Sequence, residues 1–157
     1  MHLFLDCDGV LADFDAGATA LLGMPAKDFQ DAEGKSEFWR RLARAPDFYG
    51  SLPLMPDAHL LVEAVAHLNP TILTGLPIGN WAAPQKVRWA ADHFPGVPIT
   101  TTMARDKFRH MTGADVLVDD RADHRAVWED AGGTFIHHKN AERSIAALRQ
   151  IFPSIAA

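Results

Sequence analysis

The chain has 157 residues, 48% hydrophobic and 22% charged, the balance of one ordinary globular domain with room for a small insert. Its formal net charge of −5 excludes the basic surface that a nucleic-acid polymer or an anionic membrane needs. A small phosphorylated ligand stays open, because a bound cation reverses the local field, and a single cysteine, Cys7, excludes an intrachain disulfide and fits a reducing compartment.

Taken in order, short apolar runs alternate with amphipathic stretches. Leu3-Phe4-Leu5 reads as a buried strand that ends in acid at Asp6. Residues 15–56 then break the alternation and are too long for a loop in a compact domain. Ala16 to Leu22 and Phe38 to Ala43 look helical within it, which predicts a small helical insert over the strand ends. Ala58 to Leu68 follows as a helix, with Asp57 as its expected N-cap. Thr71-Ile72-Leu73 is the second strand, ending at Thr74-Gly75, and Trp81 to Phe94 the next helix, with Val87, Trp89, Ala90 and Phe94 on related faces. Val97 to Thr100 is a weaker strand whose Pro98 suits a sheet edge. Val116-Leu117-Val118 ends at Asp119-Asp120. Ala122 to Ala131 is helical with Ala126, Val127 and Ala131 inward, and Thr134-Phe135-Ile136 is the fifth strand. A last helix covers Ala141 to Phe152. The opening residues lack a basic start and no stretch reaches the roughly 20 apolar residues of a membrane span, so the expected location is the cytoplasm.

Strands alternating with helices predict an α/β fold, a Rossmann-like parallel sheet flanked by helices, with a small helical cap inserted after the first strand. The expected division is a core of residues 1–14 and 57–157 and a cap of residues 15–56. Ligands of such sheets bind beyond the carboxyl ends of the strands. Asp6, Thr74 and Asp119-Asp120 each end a predicted strand, so they converge there.

Four elements carry chemistry. In Asp6-Cys7-Asp8-Gly9, Gly9 permits a turn that turns both acids toward one site, where one attacks phosphorus and the other handles protons. As a bare motif it is also an ordinary surface turn. Thr74-Gly75 offers a hydroxyl and a backbone N–H to a phosphate oxygen, or else a simple cap. A lysine is needed to neutralise the Asp6 carboxylate against phosphoryl oxygens; one charge pair at 4 Å is worth roughly 4 kcal/mol at a dielectric near 20. Lys107 is preferred to Lys86 for that place. Adjacent Asp119 and Asp120 suit a hard divalent cation that keeps waters and takes carboxylate oxygens, with a helix N-terminus as the alternative. His137-His138 reads as a surface turn rather than a metal site, and the other histidines receive no role.

Asp-x-Asp-Gly, Thr-Gly, Lys and Asp-Asp in that chain order resemble the haloacid dehalogenase superfamily of phosphatases, from Leu3 to about Phe135. The second acid, Asp8, implies phosphoryl transfer rather than dehalogenation. Asp6-x-Asp8-Gly9-Val10-Leu11-Ala12-Asp13-Phe14, Phe38-Trp39, Leu52-Pro53-Leu54-Met55-Pro56, Lys86-x-x-Trp89, Arg105-Asp106-Lys107 and Leu117-x-Asp119-Asp120 further resemble the 5'(3')-deoxyribonucleotidase family. That resemblance implies Mg2+ held by Asp6, the backbone carbonyl of Asp8 and Asp120. It implies phosphate on Thr74 and Lys107, with Gly75 and Lys86 beside it, and a nucleobase against Phe14, Phe38 and Trp39. Independently, Phe29, Phe38, Trp39, Phe48 and Tyr49 are dense for so short an insert, either as its own core or as stacking surfaces worth about 1–3 kcal/mol per base. Gly75 stands where those enzymes usually carry a serine, the insert is shorter than theirs, and the part from Thr134 onward finds no counterpart. The expected activity is a magnesium-dependent phosphomonoesterase acting through an aspartyl-phosphate on deoxynucleoside monophosphates. Other small phosphate esters, such as sugar phosphates, and a non-catalytic phosphate-binding module are the alternatives; the oligomeric state is not readable.

Overall fold

A computed structural model describes residues 1–157. Five strands form one sheet: β1 (Leu3–Leu5), β2 (Thr71–Gly75), β3 (Ile99–Thr102), β4 (Val116–Asp119) and β5 (Thr134–His137). Their spatial order is β3-β2-β1-β4-β5, and every neighbouring pair is parallel. The expected α/β sheet is therefore present, with the Pro98 strand at an edge. Order reverses at β1, which sends the chain out to one side and back to the other, and the crevice beyond its carboxyl end is where such sheets bind ligands.

The strands alternate sides, and each side buries a different core. Leu3, Leu5, Ile72, Val116, Val118 and Ile136 belong to a cluster of 30 buried residues. Helices α4 (Ala58–Val65), α5 (Ala82–His93) and α7 (Ala141–Ile151) feed that cluster through Leu61, Trp89 and Leu148, among others. Phe4, Leu73, Leu117 and Phe135 point the other way, into a cluster of 5 completed by Trp128 of α6 (Arg125–Asp130). Phe108, in the 3-10 stretch Ala104–His110, packs against this smaller core.

Between β1 and α4 lie three helices, α1 (Phe14–Leu22), α2 (Ala26–Glu33) and α3 (Lys35–Arg44). The middle one was not anticipated: Phe29 is its only buried residue, too little for an apolar period. Phe29, Phe38, Leu42, Phe48, Tyr49 and Leu52 join the same 30-residue cluster as the sheet, so the insert's core is continuous with the larger one.

Three local expectations need correction. Asp57 stands at the N-cap of α4 as expected, but its side chain makes no capping bond; its Oδ2 instead accepts from Ala141 N at 2.7 Å, tying α4 to the start of α7. Val87 and Val127 are not inward but about half exposed, at 46% and 49%, and Ala126 and Ala131 are exposed too, while Lys86 and Trp128 are buried. His138 is not in a surface turn: it is buried, with Nδ1 2.7 Å from Ser144 Oγ, while His137 Nε2 lies 2.9 Å from the Asp120 carbonyl oxygen.

Candidate active site

Register brings the acids together. Leu5 pairs with Val118 across β1 and β4, so the next residues, Asp6 and Asp119, stand side by side at the carboxyl edge. Asp6 N donates to Val118 O at 2.9 Å, and Asp119 O accepts from His138 N at 2.8 Å, fixing both backbones. Beyond Asp6 the chain turns through Gly9, whose φ is +82°. A Cβ there would lie 2.1 Å from Asp120 Oδ2, so only glycine lets Asp120 approach the turn.

Two lysines arrive from opposite sides of the sheet. Lys107, on the small-core side, donates to Asp6 Oδ1 at 2.8 Å and to Asp119 Oδ2 at 3.1 Å. Lys86, from α5 on the large-core side, donates to Asp8 Oδ2 at 2.8 Å, Thr74 Oγ1 at 2.8 Å and Gly75 O at 3.0 Å. Its ammonium also sits 4.4 Å above the Tyr49 ring of the insert, a cation–π contact. Both lysines are buried, as are Asp6, Asp119 and Thr74. Of the two, Lys107 is the lysine beside Asp6, while Lys86 serves Asp8.

Burial and mutual repulsion set the charges. Burial pushes the Asp6 carboxyl up to about 6, against the pull of Lys107 and with the repulsion of Asp119. Asp120 is pushed up to about 8, by burial and then by the nearby Asp6. Burial would raise Asp119 too, but hydrogen bonds from His124 and the charge of Lys107 hold it well below the usual carboxylate range. Lys107 is raised above the ordinary lysine value because Asp6 and Asp119 outweigh its desolvation.

Asp6, Asp119 and Asp120 bring ligand oxygens within 4.8 Å of one another. Asp119 is already engaged, since Oδ1 accepts from Arg121 N at 2.9 Å and Oδ2 from Lys107 and His124. Asp120 Oδ1, by contrast, is buried without a partner, as is Asp8 Oδ1. An all-oxygen donor set with an orphaned buried carboxylate oxygen fits a hard divalent cation such as Mg2+.

These groups open into a cavity of about 470 Å³, within the range of small-molecule sites. Asp6, Asp8, Lys107 and Asp120 line it together with Phe14, Phe38, Trp39 and Tyr49. Phe14 stands 6.3 Å from both Phe38 and Trp39 by ring centres, and Trp39 is 38% exposed, so the aromatic lining combines buried packing with an accessible indole. Gly75 lines the cavity; Thr74 and Lys86 lie behind it. Adding a Cβ at Gly75 would bring it 3.0 Å from Ala104 Cβ and 3.2 Å from its Cα, so a serine does not fit without moving that segment. Gln30, Arg121 and His124 also line the cavity and carry no expected role from the sequence. Arg121 follows the acidic pair directly, a signal that was available; Gln30 and His124 carried none.

Comparison with known proteins finds the same fold in solved structures. A hydrolase from Streptococcus pneumoniae TIGR4 aligns over 97% of both chains at 13% identity, TM-score 0.53. The L-2-haloacid dehalogenase of Xanthobacter autotrophicus covers 99% of this chain and 84% of its own at 16% identity, TM-score 0.60. A HAD family hydrolase from Deinococcus radiodurans R1, solved with bound phosphate and sodium, covers 94% and 87% at 14% identity, TM-score 0.54. These likenesses concern the fold. No match was found among curated proteins. The model of the family described as "5' nucleotidase, deoxy (Pyrimidine), cytosolic type C protein" matches residues 1–149, which includes the part after Thr134 that sequence motifs alone left without a counterpart. The chain belongs to that family and is a phosphoric monoester hydrolase, with a fold shared by the haloacid dehalogenase of Xanthobacter autotrophicus.

Proposed function

We propose that the chain is a magnesium-dependent phosphomonoesterase that releases phosphate from deoxynucleoside monophosphates through a phosphorylated Asp6. The observation that carries the reading is one cavity lined both by carboxylates with Lys107 and by aromatic side chains. Residues 1–14 and 57–157 form the catalytic core, which contributes Phe14, and residues 15–56 the cap that supplies Phe38, Trp39 and Tyr49 of the aromatic wall. The family's description favours the cytoplasm; no helix is long and apolar enough to cross a membrane.

Asp6, Asp120 and the backbone carbonyl of Asp8 would hold Mg2+, which when bound supplies Lewis-acid neutralisation of the phosphoryl oxygens. Lys107 adds a fixed positive charge beside the Asp6 oxygen. Asp6 attacks phosphorus, its O–P bond forming as the ester P–O bond breaks. Asp8 gives a proton to the departing sugar oxygen. Lys86 holds Asp8 Oδ2, so Oδ1, which has no partner in the protein, is the oxygen available for this transfer. Asp8 then takes a proton from a water that attacks the aspartyl-phosphate, which releases inorganic phosphate and restores Asp6. Thr74, whose Oγ1 accepts from Lys86, keeps its own hydrogen to donate.

The test is a panel of nucleotides and sugar phosphates assayed with and without Mg2+. Metal-dependent release from deoxynucleoside monophosphates is expected, and Asp6→Asn should lower kcat on the order of 10³-fold or more. Equal rates on sugar phosphates would remove the nucleotide assignment. Substantial activity in Asp6→Asn would remove the covalent step, and a metal-independent background rate alone would leave a binding module.

A further inference from the structure

Asp119 is completely buried, and its Oδ2 serves two donors at once: Lys107 Nζ at 3.1 Å and His124 Nδ1 at 2.8 Å. Lys107 in turn serves two acceptors, and the bond to Asp6, at 2.8 Å, is the shorter one. The four groups form one line, His124–Asp119–Lys107–Asp6, running from the cavity wall to the acid at the end of β1. His124 stands where the 3-10 turn Ala122–His124 meets α6, and its ring lines the cavity.

The chemistry of the pair fixes the imidazole's orientation. Asp119 is ionised and can only accept, so Nδ1 carries the hydrogen. The bond that matters is the one to Asp119. An oxygen shared between two donors attracts each less strongly than an oxygen held by one. Without His124, Asp119 Oδ2 would have the Lys107 ammonium to itself and draw it away from Asp6.

We propose that His124 is a positioning residue: by occupying part of Asp119 Oδ2 it holds Lys107 against Asp6 in the geometry the reaction needs. The proposal rests on Lys107 acting as the charge that steadies Asp6 and the phosphoryl group. It assigns a role to a histidine that neither the motifs nor the family resemblance singled out.

Three substitutions separate this role from direct substrate contact. Asparagine places its amide N–H near the Nδ1 position, glutamine places one near Nε2, and alanine places neither. With a chromogenic phosphate ester and Mg2+, His124→Ala should lower kcat on the order of 10-fold to 100-fold with a smaller change in KM, the penalty of a misplaced charge. His124→Asn should restore kcat to within about threefold of the unaltered enzyme, and His124→Gln should not. Restoration by glutamine but not asparagine would overturn the proposal in favour of contact through Nε2. Failure of asparagine to restore, or full activity of the alanine variant, would overturn it outright. If the alanine variant does not fold, the asparagine and glutamine variants carry the contrast alone. If the unaltered protein hydrolyses no phosphate ester, the phosphatase reading fails, and NMR of the nitrogen-labelled protein still decides this one. The Lys107 ammonium signal should shift in His124→Ala and return in His124→Asn; an unmoved signal in both would overturn the proposal.

Discussion

The two sides of the sheet are unequal, and the two buried lysines mark the difference. On one side 30 buried residues join α4, α5, α7 and the helical insert, and from there Lys86 reaches Asp8, Thr74 and the Tyr49 ring. On the other side 5 buried residues underlie a short 3-10 stretch, and from there Lys107 reaches Asp6 and Asp119. The large core is spent on holding the insert and its aromatics, and Lys86 is the clasp between insert and strand ends. The small core holds little apart from charge. The aromatic lining of the cavity is thus built on the deep side and the Asp6–Lys107 pair on the shallow side, with Asp8 held between them.

Substituting each lysine in turn should separate the sides most sharply. Lys107→Met leaves Asp6 and Asp119 buried together without a counter-charge. Removing one partner of a buried pair costs about 3–5 kcal/mol, and removing a fixed donor from the charged centre about 10²–10³ in kcat. Both losses are expected, read by denaturant unfolding and by steady-state rates. Lys86→Met leaves Asp8, whose side chain is 27% exposed and can turn to water, so its stability loss should be clearly smaller. If the two variants lose equal stability and equal kcat, the sides are not divided as described.

Trp39 tests the deep side. Truncation to alanine removes an exposed indole from the cavity wall without opening the 30-residue core, of which it is not a member. Base stacking of about 1–3 kcal/mol corresponds to a rise in KM of roughly 5-fold to 150-fold, and only for nucleotides. A sugar phosphate should keep its KM. An equal rise for both substrates would assign Trp39 to packing.

The same division decides what could be read from the sequence. Strand-end acids are legible because β1 and β4 are continuous apolar runs of three residues, and a polar residue ending such a run has only one place to go. Gly9 is legible as a turn but not as the floor beneath Asp120, since that contact joins residues far apart in the chain. The aromatics were ambiguous in principle. Phe29 and Phe48 are core, Phe38 is both core and cavity wall, and Trp39 is exposed, yet all four have the same composition signal. His124 was illegible, because its meaning lies in the second lone pair of an oxygen on Asp119.

The smallest expected effect concerns charge alone and isolates the shallow side. Asp6 and Asp120 have folded-state values raised to about 6 and about 8, above the 3.8 of an ordinary aspartate. Between those limits these two groups bind more protons in the folded protein than in the unfolded chain, so without metal the stability they contribute is present at low pH and falls as pH rises through the window. His138, whose value is lowered by burial, works in the opposite sense: its contribution is lost as pH falls below the ordinary histidine range. That contribution is the same with or without a cation and cancels in the difference. A divalent cation takes the place of the shared proton, so thermal midpoints with Mg2+ and with a chelator should diverge as pH rises from about 6 to about 8.5. Each 1 kcal/mol of relief appears as about 2–4 °C in a chain of this size. Replacing Asp120 with asparagine removes one of the two repelling charges and should flatten the divergence, with little change in the mid-acid range. If the midpoints ran parallel across that pH range, the orphaned Asp120 oxygen would not be a cation ligand, and the shallow side would be held by Lys107 alone.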